Sequence, residues 1–325
     1  MCKQSITEIE LNRLKQNIFA ASWPAVEPAD EFAWHWNTNG KPDHHFIDSF
    51  VPQSSQALMI DVFGWIKVLP QDDRNRVMNV LAGRLGLESS ANWEIEFEWQ
   101  DDANVLEEQP KPGPGGQVSG VTQVDVLATS ADHFICIECK MTEGLGGCSQ
   151  PRSNGGEIQC SGNYCSQVNP RTGVESNCAL TGKGIRYWEV VPEVFNLSAD
   201  VDYTPCPFAN GWYQLMRNCV LAYEHGHRSG RRPAFVLLYA DGVPEIFKTT
   251  AFTSGLTPGG WSEFSDLLRP DQIDAQAISY QEMIEALHAG CDGELRETVA
   301  ALRQWVADKL ERVEEKKRAV LGGDK

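Results

Sequence analysis

The spacing of hydrophobic positions changes several times along the chain, and each change predicts an element. Ile9, Leu11, Leu14, Ile18 and Phe19 make the opening segment a short amphipathic helix, after which Trp34-His35-Trp36 to Asp43-His44-His45 is aperiodic and reads as a loop packed on the body. Ala57 to Leu69 is apolar nearly all round, as a buried helix requires, with Pro52, Ser54 and Ser55 offering its start. A second helix is predicted over about Asp72 to Leu85, ended by Gly86. Trp93, Ile95, Phe97 and Trp99 then alternate with Glu94, Glu96 and Glu98, the period of a half-buried strand with its aromatic positions on one face. Beyond a Pro- and Gly-rich connection from Lys111 to Gly120, Val121 to Ala128 and His133 to Lys140 read as two strands joined by a polar turn at Ser130 to Asp132. Together these runs predict an antiparallel three-strand unit.

From Met141 to about Ala209 the periodicity disappears and Gly, Asn, Ser, Pro and Cys dominate. Such a long irregular stretch needs something other than an apolar core to hold it. Regularity returns with a helix from Gly211 to His225, a continuous apolar strand from Ala234 to Tyr239, and a charged helical tail from about Ser279 to Leu321. His225 and His227, near the end of the first of these helices, read as surface positions.

Chemistry concentrates in VTQVDVLATSADHFICIECKMTE. Side chains alternate along a strand, so Glu138 and Lys140 share a face while Ile135, Ile137 and Cys139 point the other way, and the hairpin brings Asp125 beside the pair. Two carboxylates at a strand edge suit a hard ion such as Mg²⁺, which takes oxygen ligands and keeps several waters. A lysine beside them can hold an attacking water while the metal stabilises charge on a phosphoryl oxygen. The competing reading is an ion cluster on a sheet face. Glu314-Glu315-Lys316 and Glu315-Lys316-Lys317 also place an acid two residues before a lysine, but on a charged helix with no upstream strand acid.

In Asp125, Glu138-Cys139-Lys140 and the order of elements the chain resembles the PD-(D/E)XK nuclease superfamily, with Val124 where that pattern has proline. It is similar in particular to a bacterial restriction-endonuclease-like group, through Ser54-Ser55-Gln56-Ala57-Leu58, Glu96-Phe97-Glu98, Thr142-Glu143 and Tyr213-Gln214-Leu215-Met216-Arg217-Asn218. The resemblance implies an α/β fold with a restriction-endonuclease-like core of helix, three-strand antiparallel unit, helix and further strand. That core would span residues 54–250, after an N-terminal packing segment at 1–53, with a Cys-rich, metal-held insertion at 141–209 and a helical C-terminal region at 251–325. It implies a Mg²⁺-dependent endonuclease acting on DNA, of restriction or phage-defence type, with Asp125 and Glu138 as metal ligands and Lys140 positioning water. Glu98 is the preferred third acid, with Glu96 and Asp61 as weaker choices. A binding module without chemistry and an iron–sulfur or redox protein are the alternatives. On the later helix Gln214, Arg217 and Asn218 share a face that would hold either the DNA backbone or the catalytic carboxylates, unless it is a polar surface stripe.

Cys148, Cys160, Cys165 and Cys178 follow the Lys140 strand, and the gap between Cys160 and Cys165 fits a structural Zn²⁺ site. A [4Fe–4S] cluster takes the same four thiolates. The charge of −17 excludes a generally basic nucleic-acid coat. Residues 141–232, however, hold eight acids and eight bases, and Arg228, Arg231 and Arg232 are expected to join Arg217 in tracking phosphates. Weak, salt-sensitive DNA binding follows, which leaves room for a protein partner or a homo-oligomer. No apolar run approaches the about 20 residues of a membrane helix, and without a signal-peptide core the expected location is the cytoplasm.

Overall fold

The computed structural model describes residues 16–25, 54–112, 118–141 and 260–322, and between them 144–148, 150, 153–154, 157–158, 167–173, 175–176, 178–199, 203, 206–208 and 211–241. Most of the opening helix, the Trp34 to His45 stretch, Thr142-Glu143, Cys160 and Cys165 lie outside the described residues.

A five-stranded sheet forms the middle layer, in the order β1 (Glu94–Gln100), β2 (Gln123–Thr129), β3 (His133–Lys140), β4 (Arg232–Tyr239) and β5 (Asp274–Ser279). The first three strands form the expected antiparallel unit, whereas β4 lies parallel to β3 and β5 parallel to β4. Tight turns suffice for antiparallel neighbours, but a parallel pair needs a crossover, here through helix α5 (Trp212–Ser229).

One face of the sheet is covered by α1 (Ser55–Val68), α2 (Gln71–Arg84), α7 (Tyr280–Gly290) and α8 (Gly293–Gly322). The other carries α3 (Ala179–Gly182), α4 (Tyr187–Val194), α5 and α6 (Trp261–Asp266). Helix α1 starts where Ser54 accepts the Ala57 N–H at 3.3 Å, and Leu58, Met59, Ile60, Val62, Phe63, Trp65 and Ile66 are all buried along it. Helix α5 ends at Gly230, whose φ of 67° lies in the left-handed region where glycine carries no steric cost.

Two expectations are corrected. Helices α3 and α4 stand inside the segment read as irregular. The region from 251 onward is not wholly helical, because β5 lies between α6 and α7. The charged tail helix is amphipathic and belongs to the core: Leu295, Val299, Leu302, Val306, Leu310 and Val313 of α8 are buried in the same cluster as α1.

Asp61 explains how α8 is held. It is fully buried on α1, pairs with the equally buried Lys309 at 2.5 Å, and accepts the Phe19 N–H at 2.7 Å. Lys309 also donates to the Asn17 carbonyl at 2.8 Å. Asp61 is therefore a fastening between three segments, on the layer opposite Glu138, and has no part in an acid set at the sheet.

Candidate active site

Strand alternation does what the sequence predicts along β3. Ile135, Ile137 and Cys139 enter the α1-side core, while Glu138 and Lys140 face the α5 side, 1% and 6% exposed. Lys140 Nζ lies 2.6 Å from Glu138 Oε1. In the β2–β3 ladder Val126 stands opposite Ile137, which brings the half-buried Asp125 alongside Glu138. Asp125 Oδ2 accepts the Cys139 N–H at 2.7 Å, while its other oxygen accepts no hydrogen bond from the described residues. Burial, then the Glu138 carboxylate, holds Asp125 well above the usual carboxylate range, with Glu98 adding to the effect and Lys140 and the Cys139 N–H opposing it.

Side-chain amides clamp the two glutamates. Gln214 donates to Glu138 Oε1 at 2.6 Å and Asn218 to Oε2 at 2.7 Å. Gln214 uses its carbonyl as well, accepting the Gly146 N–H at 2.8 Å, which decides the orientation of the amide. Glu98 is held in the same way by Gln56 at 2.6 Å and Gln123 at 2.8 Å. Of the two roles open to the α5 face, Gln214 and Asn218 take the carboxylate. Asn218 is wholly buried and out of reach of a DNA backbone.

Glu98 departs from the predicted strand. Its φ is 50°, and the alternation inverts there: Trp93, Ile95 and Phe97 pack on the α1 side, but Trp99 packs on the α5 side. Its ladder partner Val124 also lies on the α5 side, although Val126 lies on the α1 side. The pleat thus turns over at Glu98, between the Phe97–Val126 and Trp99–Val124 pairs.

Among the described residues no three His, Cys, Asp or Glu side chains converge closely enough to hold a metal. Glu98 is held by its two glutamines, and its charge still acts on Asp125. Asp125 and Glu138 still fit a hard cation that keeps most of its waters, since Mg²⁺ is commonly bound through one or two carboxylates plus substrate phosphate. Asp125 has an oxygen to spare, and the carboxylates beside it outnumber the ammonium of Lys140.

The structure does not bring the other arginines to this place. Arg232 opens β4 opposite His133, whereas Tyr239 at the far end of β4 stands opposite Lys140, about 23 Å away at about 3.3 Å per residue. Arg232 pairs with Asp274 and Arg228 with Glu224. His225 is not a free surface residue, because it lies 3.0 Å from Asp101 and stacks on Phe134. Cys148, Cys178 and Cys206 are half-buried against the α5-side core.

Sequence reasoning missed the buried Glu108, which accepts from the Thr122 N–H, the Thr122 hydroxyl at 2.6 Å and the Tyr187 hydroxyl. It missed Gln56 and Gln123 too, although both lie in segments already singled out. A glutamine two residues before Asp125 was an available signal, since side chains two apart on a strand commonly share a face.

A mixed sheet carrying an acid and a lysine on one strand, with a second acid on the neighbouring strand and an amide-bearing helix above, points to a restriction-endonuclease-like protein. Residues 44–307 match the family described as restriction endonuclease associating with ARP, and the chain belongs to that family. No curated protein and no solved structure gives a significant match. No helix among the described residues is long and apolar enough to cross a membrane.

Proposed function

We propose that the chain is a Mg²⁺-dependent endonuclease that hydrolyses phosphodiester bonds in DNA, in a restriction or phage-defence role in the cytoplasm. The observation that carries the reading is the buried Glu138–Lys140 pair at 2.6 Å with Asp125 alongside, one oxygen of which accepts no hydrogen bond from the described residues. Asp125 and Glu138 would hold the ion, which when bound supplies charge neutralisation at a phosphoryl oxygen and a more acidic water. Gln214 and Asn218 fix the plane of the Glu138 carboxylate without neutralising it, so the group keeps its negative charge. Lys140, anchored on that carboxylate, directs N–H bonds toward a water and orients its lone pair for attack. Digestion of plasmid DNA with and without Mg²⁺, wild type beside a Lys140 variant, tests the assignment.

Glu98 supports the site from one step away in this reading. Glu98→Gln should therefore slow cleavage by about tenfold, equivalent to about 1.4 kcal/mol, and far less than loss of Asp125. A loss as complete as that of Asp125→Asn in the same assay would make Glu98 a direct ligand instead.

The cysteine segment is proposed to bind one structural Zn²⁺, or else a [4Fe–4S] cluster, through Cys148, Cys160, Cys165 and Cys178. The composition of residues 149–177, between Cys148 and Cys178, supports this, because that stretch has few apolar residues with which to order itself. Anaerobically purified protein should carry about one zinc per chain by elemental analysis. Finding neither zinc nor iron would remove the site. The family description, a restriction endonuclease associating with ARP, supports an associated partner for the activity.

A further inference from the structure

Arg217 differs from the other arginines around the sheet. It lies on α5 between the two residues that clamp Glu138, half-buried, with its guanidinium 5.5 Å from the centre of the Tyr213 ring. Its Nε is buried and has no hydrogen-bond partner, and among the described residues Arg217 forms neither a hydrogen bond nor an ion pair. This is not for want of acids, because Glu108 and Glu138 both act on its charge.

Those acids are already satisfied by other donors. Glu108 accepts from Thr122 and Tyr187, and Glu138 from Gln214, Asn218 and Lys140. Tyr213 extends the chain by donating to the Tyr187 hydroxyl at 3.5 Å. The arrangement surrounds a guanidinium with negative potential yet leaves its donors open. A guanidinium whose Nε is buried without a partner is costly unless an anion completes it. The fork of a guanidinium matches the oxygens of a phosphate.

We propose that Arg217 is the phosphate-binding residue of this site, receiving the non-bridging oxygens of a DNA phosphodiester beside Glu138, with Tyr213 as the platform under its guanidinium. The inference rests on the nuclease reading and deepens it. It also separates Arg217 from Arg228 and Arg232, whose guanidinium groups are bonded to Glu224 and Asp274 at the other end of the sheet.

Fluorescence anisotropy with a labelled 20-base-pair DNA duplex, across a salt series and in the Lys140→Met background to prevent cleavage, tests the proposal. Adding Arg217→Gln should weaken binding about tenfold or more, the effect of losing a charge-assisted hydrogen bond. It should also lower the salt slope by about 0.9, one phosphate contact. Arg217→Lys should retain the slope but recover only part of the affinity. An unchanged affinity and slope in Arg217→Gln, with an unchanged melting temperature, overturns the proposal. So does weakened binding with an unchanged slope. Cleavage is scored separately: Mg²⁺-dependent digestion by wild type with normal binding by Arg217→Gln sinks the phosphate site and keeps the nuclease. An inactive wild type whose DNA binding depends on Arg217 does the reverse.

Discussion

Lys140→Met should reduce Mg²⁺-dependent DNA cleavage by about 10²–10³-fold, the scale of losing one charge-stabilising donor from a dry site. Methionine keeps the bulk of the stem, and Glu138 loses its cation but retains the Gln214 and Asn218 amides, so the fold should survive with reduced stability. Asp125→Asn should be equally inactive and equally folded, because an amide oxygen can still accept the Cys139 N–H. Glu138→Gln is the less clean test. Its new NH₂ would confront donors from Gln214, Asn218 or Lys140, which adds about 1–3 kcal/mol of instability to the loss of activity. Because the three residues act as one unit, the Asp125→Asn/Lys140→Met double variant should be no slower than either single one. The decisive measurement is plasmid cleavage by variants that remain folded at the assay temperature. Wild-type rates from either Lys140→Met or Asp125→Asn would remove this cluster from the chemistry.

The largest effect on stability is expected at Asp61. Asp61→Ala leaves Lys309 charged in a fully buried position with only the Asn17 carbonyl, and should cost about 3–5 kcal/mol. Lys309→Met alone should be similarly harmful, since it strands the carboxylate. Combining Asp61→Leu with Lys309→Met should recover most of the loss, because well-packed apolar groups commonly replace a buried ion pair at little cost. Urea unfolding of the three variants measures this directly. A double variant no better than the singles would mean that the pair stabilises beyond its desolvation cost, while singles losing under about 1 kcal/mol would place both groups in contact with water.

Short-range pattern made the centre of the molecule legible. The β2–β3 hairpin depends on a turn of a few residues, and alternation alone put Glu138 with Lys140 and opposite Cys139. What failed was what alternation cannot encode. The inversion at Glu98 is a single backbone rotation, so Trp99 looked like a continuation of Phe97. Strand β5, with the sequence DAQAIS, has one large apolar residue and no period to detect. Helix α4 was obscured by Pro192 and by the composition around it. The Asp61–Lys309 pair joins positions 248 residues apart, and nothing local announces it. The misplacement of Arg228, Arg231 and Arg232 had an available signal: a strand reached through a helix runs parallel, so the residues preceding β4 must sit beside the start of β3, away from Lys140.

The parallel pairing of β3 with β4 also bears on how the chain emerges during synthesis. The entire cysteine-bearing segment and α5 separate the two strands, so β3 is made long before its neighbour exists. Until then HFICIECK presents an open hydrogen-bonding edge with apolar residues on one face, the kind of segment that recruits other chains. A fragment ending before Arg232 should accumulate as aggregate and not as a small nuclease. Any reduction of this protein to a minimal core therefore has to retain β4, and deletions in the intervening segment have to leave a crossover long enough to deliver it.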